Sequence, residues 1–247
     1  MNVFLFRKIW AIYAVILFLL LMTLSLPVIG LNMIFTPGSK ALRRNIFYLH
    51  HVFTPTFLLL IGIRLKIEGK EKIDANGSYV IVGNHRSSLD FIVNAAAFPG
   101  VYRYLAKQEL QKIPVFGWVV KKMCLTVDRS SAMSRARSVV ALKQQLASGW
   151  SIFIYPEGSR NLSEAPLGTF FDGAFRIAVQ TGAPVAVQTL VNVRDVISPV
   201  RSVDLRPGVL HIIWSDPIET AGMKSEDIGS LKDQVEQIML KNLVKTH

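Results

Sequence analysis

From Ile9 to Phe35 the chain carries no Asp, Glu, Lys or Arg. As a single helix at about 1.5 Å per residue this run would measure roughly 40 Å, more than the ~30 Å hydrocarbon core of a bilayer. Pro27 and Gly30 are expected to break it. A second uncharged run, Ile46 to Ile63, holds Pro55, two histidines and Gly62. It reads as a weaker membrane helix, or as one lying partly in the interface. Arg7 and Lys8 ahead of the first run raise a cleaved signal peptide as the alternative, but no small-x-small site follows and the apolar stretch is too long.

The flanking charges favour a particular insertion. Cations stand on all three flanks: Arg7 and Lys8, then a connecting loop with Lys40, Arg43 and Arg44, then Arg64, Lys66, Lys70 and Lys72. Two spans with a cytoplasmic domain would put the connecting loop outside, against the positive-inside tendency. A hairpin dipping into one leaflet brings every cation to one anionic surface, each worth on the order of 1 kcal/mol there. The expectation is a two-helix monotopic anchor over residues 1–63, with the rest of the chain on the cytoplasmic face of the cell membrane.

The formal charge of +11 and pI near 9.9 call for an anionic partner: nucleic acid, lipid headgroups or a phosphorylated substrate. Hydrophobic residues at 51% exclude a disordered chain. One cysteine, Cys124, forbids an intrachain disulfide, and no Cys or His pair has zinc-ligand spacing. A non-enzymatic membrane-tethered binder of nucleic acid or anionic lipid is the rival from another class. Its cations are scattered, however, and no RNP, KH or zinc-finger pattern or aromatic stacking run is present, so no specific nucleic-acid partner is expected.

After Arg64 short β-rich runs alternate with helical ones. Tyr79–Gly83, Tyr102–Ala106, Cys124–Val127, Ser151–Tyr155, Pro184–Val191 and Val209–Trp214 read as strands, several apolar on both faces. Ser131–Ser148 reads as a helix stopped by Gly149, Asp172–Thr181 as one ended by Gly182, and Ser225 as the cap of a last helix running to about Lys245. This alternation predicts an α/β domain over residues 64–247, a mostly parallel sheet flanked by helices.

In such sheets ligands bind where strands end and loops begin. The loop after Tyr79–Gly83 reads Asn84-His85-Arg86-Ser87-Ser88-Leu89-Asp90. On a regular helix His85 and Asp90 would point apart, so they meet only if a turn leads into a helix start. There Asp90 would hold His85 in one tautomer and leave the other ring nitrogen free to take a proton. The blander reading is a capped helix start, with Asn84 or Ser87 as cap and His85 on the surface. The loop after Ser151–Tyr155 reads Tyr155-Pro156-Glu157-Gly158-Ser159-Arg160. Gly158 allows close backbone approach, and Arg160 offers a planar fork suited to phosphate or carboxylate; the alternative is an ordinary turn with a solvated charge pair.

Taken together, Asn-His-x4-Asp followed by an aromatic-Pro-Glu-Gly-Ser-Arg loop resembles the glycerolipid acyltransferase family that includes 1-acylglycerol-3-phosphate acyltransferases. Three more segments match in order: Leu105 to Leu110 with Ile113, Pro114 and Gly117; Leu125 to Arg129; and Gly182 to Val187. The resemblance implies transfer of a fatty acyl group from acyl-CoA or acyl-carrier protein, as co-substrate and without cofactor or metal, to a lysophospholipid hydroxyl. It implies His85 as general base and Asp90 as its orienter, with Asn84, Lys107, Arg129, Glu157, Gly158, Ser159 and Arg160 binding substrate; Lys107, Arg129 and Arg160 would meet phosphate. Arg135, Arg137, Lys121 and Lys122 are further cations for coenzyme A phosphates, or a solvated face.

The sequence departs from the family pattern at Tyr155, commonly Phe, at Ser159, commonly Thr, and at Asp172, commonly Lys. The expected acceptor is 1-acylglycerol 3-phosphate, giving phosphatidic acid, with a lyso-aminolipid or glycerol 3-phosphate as the alternatives; an acid facing the site would repel the phosphomonoester dianion and favour the lyso-aminolipid. As an N-cap, Asp172 would instead turn to its own helix amides. Ser87 and Ser88 beside His85 raise a serine hydrolase, but there is no Gly-x-Ser-x-Gly elbow. His50 and His51 read as interfacial rather than metal ligands, and His211 as a sheet residue.

Overall fold

The computed structural model describes residues 3–36, 38–128, 130–198 and 204–244. Helix α1 (Val3–Phe35) runs unbroken through Pro27 and Gly30, correcting the expected break. Proline removes one backbone hydrogen bond, whereas ending the helix in an apolar stretch would free many, each costing several kcal/mol. The part beyond Pro27 is also held from the side. Asn32 Nδ2 donates to Asn45 Oδ1 (2.6 Å) and to the Ala41 carbonyl (3.1 Å), and Asn45 Nδ2 donates to the Ile29 carbonyl (3.4 Å).

The return segment is helical from Gly38 onward: α2 (Gly38–Tyr48), a π-helical turn at Leu49–Phe53, and α3 (Thr54–Leu60). Lys40, Arg43 and Arg44 therefore ride on α2 and not in a connecting loop, because α2 is amphipathic, burying Ala41, Asn45 and Ile46. Arg43 lies 4.4 Å over the Trp150 ring and donates to the Gly149 carbonyl. The Trp10 indole N–H donates to the Ile61 carbonyl, and Arg7 pairs with Asp204. Ala11, Ala14 and Phe57 share one apolar cluster with Leu89, Ile92 and Leu190, so the hairpin is seated on the sheet domain. Among the described residues, α1 is the one helix long and apolar enough to cross a membrane. Its outer face exposes Ile12, Ile16, Leu24, Ile34 and Phe35.

Among the described residues, seven strands form one sheet: β1 (Ile63–Glu68), β2 (Val80–Gly83), β3 (Tyr102–Lys107), β4 (Leu125–Val127), β5 (Ser151–Ile154), β6 (Val185–Leu190) and β7 (Gly208–Trp214). Their order is β1-β7-β6-β2-β5-β3-β4, parallel throughout except for β6 against β7. This is the α/β, mostly parallel sheet expected. Ile63–Glu68 is a strand, where the charges at Arg64 and Lys66 suggest a membrane flank. In fact Arg64, Lys66 and Glu68 point to solvent from an edge strand while Ile63, Leu65 and Ile67 point inward.

The helices α4 (Asp90–Ala97), α5 (Phe116–Met123), α6 (Ala132–Ala147), α7 (Gly173–Thr181), α8 (Val193–Val196) and α9 (Ile228–Val244) complete the fold. Val80, Val82, Val185 and Val187 pack against α6, α7 and α9 on one sheet face; the other face receives α4 and the hairpin. The last helix is not capped by Ser225. The chain enters through a 3-10 turn, Ser225–Asp227, in which Asp227 accepts the Lys224 amide.

Candidate active site

The site is built where β2 and β5, adjacent in the sheet, end. Past Gly83, the Asn84 side chain donates to the Leu190 carbonyl (2.9 Å) and accepts the Leu190 amide (2.8 Å), tying the end of β2 to the end of β6. Asn84 is buried, and its amide is engaged by backbone rather than turned to a ligand. The chain then turns so that Asp90, the first residue of α4, reaches back. His85 Nδ1 and Asp90 Oδ2 are 2.9 Å apart. The same oxygen accepts the amides of Arg86 (2.6 Å) and Ser87 (2.7 Å). A carboxylate in this position is acceptor only, so Nδ1 donates and Nε2 is left with its lone pair. The Asp90 carboxylate is fully buried at a helix start, where the dipole favours negative charge.

The imidazole lies on the Tyr155 ring, centroids 3.9 Å apart and planes 14° from parallel. The Tyr155 hydroxyl accepts from Asn94 Nδ2 at 2.9 Å, one helical turn after Asp90. The turn after β5 holds the backbone of His85. Glu157 Oε1 accepts the His85 amide (2.7 Å) and Oε2 accepts the Gly168 amide (2.8 Å). A side chain at position 168 would run into Glu157: its Cβ would lie 2.6 Å from Oε2. Burial pushes the Glu157 carboxyl above its ordinary range, opposed by the two amide hydrogen bonds. Gly158 adopts φ +67°, the left-handed region that glycine fills without strain.

Arg86 is the functional-site residue that sequence reading missed. Buried, its guanidinium donates to the carbonyls of Asn161 (3.4 Å), Ser163 (2.9 Å), Ala165 and Pro166 (2.9 Å), stapling the loop after Arg160 against the dyad. The Asn161 amide completes the closure on the His85 carbonyl at 2.7 Å. The sequence offered one signal, a cation set between His85 and Asp90, but its carbonyl partners carry no side-chain signature.

Three of the expected residues, Ser159, Arg160 and Lys107, make no contact with the dyad. Ser159 and Arg160 are exposed on the turn. Lys107 is exposed and pairs with Glu109 at 3.1 Å. Arg129 lies outside the described residues. Asp172 stands at the N-cap position of α7, but its side chain makes no cap hydrogen bond. It lies 2.8 Å from Lys232 Nζ on α9, which holds its carboxyl below the usual carboxylate range. The expectation of a capping side chain is corrected: a cation elsewhere competes better than the helix amides. Ser87 Oγ accepts the Leu89 amide and so serves the turn, with no triad role.

Comparison with known proteins follows the same lines. The Acyltransferase family profile matches residues 64–191. An uncharacterized acyltransferase of Schizosaccharomyces pombe is 30% identical over 189 residues, covering 75% of this chain and 67% of that protein. A 1-acyl-sn-glycerol-3-phosphate acyltransferase of Saccharomyces cerevisiae is 28% identical over 191 residues, 75% of this chain and 61% of that protein. The alpha form of that enzyme in Ovis aries is 27% identical over 225 residues, 90% of this chain and 75% of its own length. The crystal structure of the 1-acyl-sn-glycerophosphate acyltransferase PlsC from Thermotoga maritima superposes with a TM-score of 0.80 at 20% identity, covering 98% of this chain and 96% of that one, and so shares its fold.

Proposed function

The chain belongs to the acyltransferase family, and from that premise we propose that it transfers a fatty acyl group from acyl-CoA or acyl-carrier protein to the free hydroxyl of 1-acylglycerol 3-phosphate, giving phosphatidic acid. The observation that carries this reading is the 2.9 Å contact between His85 and Asp90, which leaves Nε2 available as a base. His85 Nε2 takes the acceptor hydroxyl proton as that oxygen attacks the thioester carbon. Asp90 stabilises the imidazolium. The C–S bond then breaks and the imidazolium returns the proton to the departing thiolate. Because the thioester is already activated, the proposed route uses no covalent acyl-enzyme, metal or cofactor.

In this reading Lys107, Arg129 and Arg160 receive the acceptor phosphate, and the Glu157–Gly158 backbone shapes the acceptor site. Asn84 and Glu157 act on the backbone of the site instead of on substrate. The Asp172–Lys232 pair removes the argument for an amine-bearing acceptor, since that carboxylate is neutralised from α9. The exposed apolar face of α1 and the cations of α2 support a monotopic seat on an anionic membrane, with the site on the cytoplasmic face of the cell membrane.

The test offers the purified full chain one acyl thioester with 1-acylglycerol 3-phosphate, glycerol 3-phosphate, lysophosphatidylethanolamine and a lyso-ornithine lipid side by side. The first acceptor is expected to be acylated fastest, with Asp172→Asn leaving the ranking unchanged. Preference for an amine-bearing lipid would overturn the assignment.

A further inference from the structure

Tyr155, Gly83 and Gln188 stand in one row across the centre of the sheet. Gly83 on β2 is paired with Gln188 on β6, and Val82 with Ile154, the residue before Tyr155. The residues two positions earlier in each segment, Phe153, Ile81 and Ala186, share an apolar cluster with Ala95 of α4. Side chains alternate along a strand, so this row faces α4 as well. Leu190, two residues beyond Gln188, shares a second cluster with Leu89, Ile92 and Val93 at the start of α4. Gln188 is therefore bracketed by both halves of the helix that carries Asp90, and Gly83 puts no side chain between it and Tyr155.

The polar groups of this layer are fully buried and incompletely paired: Asp90, Asn94 and Gln188 are each 0% exposed. Asp90 Oδ2 holds His85 Nδ1 and two backbone amides, while Oδ1 has no hydrogen-bond partner. Asn94, one helical turn later, donates from Nδ2 to the Tyr155 hydroxyl, while its Oδ1 has no partner. Neither Nε2 nor Oε1 of Gln188 has one. Two acceptors on α4 thus lack a donor, one of them on a carboxylate, where burial without a hydrogen bond costs most. Gln188 Nε2 is an unused donor with protons for both.

Catalytic hydrogen bonds that are long or misaligned in a free enzyme tighten when substrate binds. We infer that Gln188 is a positioning residue for the dyad: with substrates seated, its amide donates to Asp90 Oδ1 and Asn94 Oδ1. It thereby ties to β6 both the carboxylate that holds His85 and the amide that holds Tyr155. The inference rests on the reading of His85 as the base. In this role Gln188 acts on how closely the imidazole is held, and not on substrate.

The full-length protein is assayed with hexadecanoyl-CoA and 1-acylglycerol 3-phosphate. Gln188→Met keeps the length of the side chain and removes the amide. It is expected to lower kcat by about tenfold, or about 1.4 kcal/mol, near the lower end for a hydrogen bond to a charged group. The KM of both substrates is expected to stay within about twofold, and Tm to be no lower than that of wild type. Gln188→Asn keeps the amide one methylene short and is expected to fall between the two; should Gln188→Met not fold, its kcat carries the test. A buried amide without a role behaves otherwise, since an apolar group of the same shape replaces it at no loss. A folded Gln188→Met, or failing that Gln188→Asn, within about twofold of wild-type kcat overturns the inference. So does a kcat deficit matched by a rise in KM or a fall in Tm, which marks Gln188 as packing alone. Failure of the wild type to use either hexadecanoyl-CoA or hexadecanoyl acyl-carrier protein would instead overturn the acyl-transfer reading.

Discussion

The ring of Tyr155 lies under that of His85 at 3.9 Å, and Asn94 fixes the tyrosine hydroxyl from α4. The stack sets the plane of the imidazole, while Asp90 sets its rotation about that plane. Tyr155→Phe keeps the ring and is expected to cost less than about threefold in kcat. Tyr155→Ala removes it and is expected to cost about fivefold, in line with an aromatic pair worth about 1 kcal/mol. Steady-state rates on the two variants check this.

Arg86 holds four carbonyls of the loop 161–166. Arg86→Met fills much of the same space but leaves those carbonyls without their donor, at a cost of about 2–4 kcal/mol. A lowered Tm with easier proteolytic cleavage within 161–166 is the expected result. An unchanged Tm would remove Arg86 from its stapling role.

Glu157 gives a pH signature. Its carboxyl is raised by burial, so between the ordinary glutamate range and its raised value the folded chain binds more protons than the unfolded one. Stability from this group therefore falls as pH rises through that window. Glu157→Gln does not titrate. Its deficit in Tm against wild type is expected to be largest below the window and to shrink above it, as read from thermal melts across pH.

Which parts were legible in the sequence follows from where the signals are local. The strand ends bearing His85 and Glu157 were readable because Val80–Gly83 and Ser151–Ile154 are apolar on both faces and run into polar, turn-forming loops. The pairing of His85 with Asp90 was readable as a condition, that a turn lead into a helix start, and α4 meets it. β1 was not, since IRLKIE carries as many charges as apolar residues and an edge strand needs only one buried face. The roles of Asn84, Arg86 and Asp172 were hidden for a different reason. Their partners, Leu190, the 161–166 carbonyls and Lys232, are distant in sequence and mostly backbone, so no spacing within the motif announces them.

Substituting His85 tests its role as the base most directly. Phosphatidic acid formation from a labelled acyl thioester and 1-acylglycerol 3-phosphate should be measured for wild type and His85→Ala at matched concentrations, with circular dichroism confirming that both are folded. Loss of general-base catalysis is expected to lower kcat by about 10²–10⁴. A folded His85→Ala protein turning over within about threefold of wild type would contradict the account.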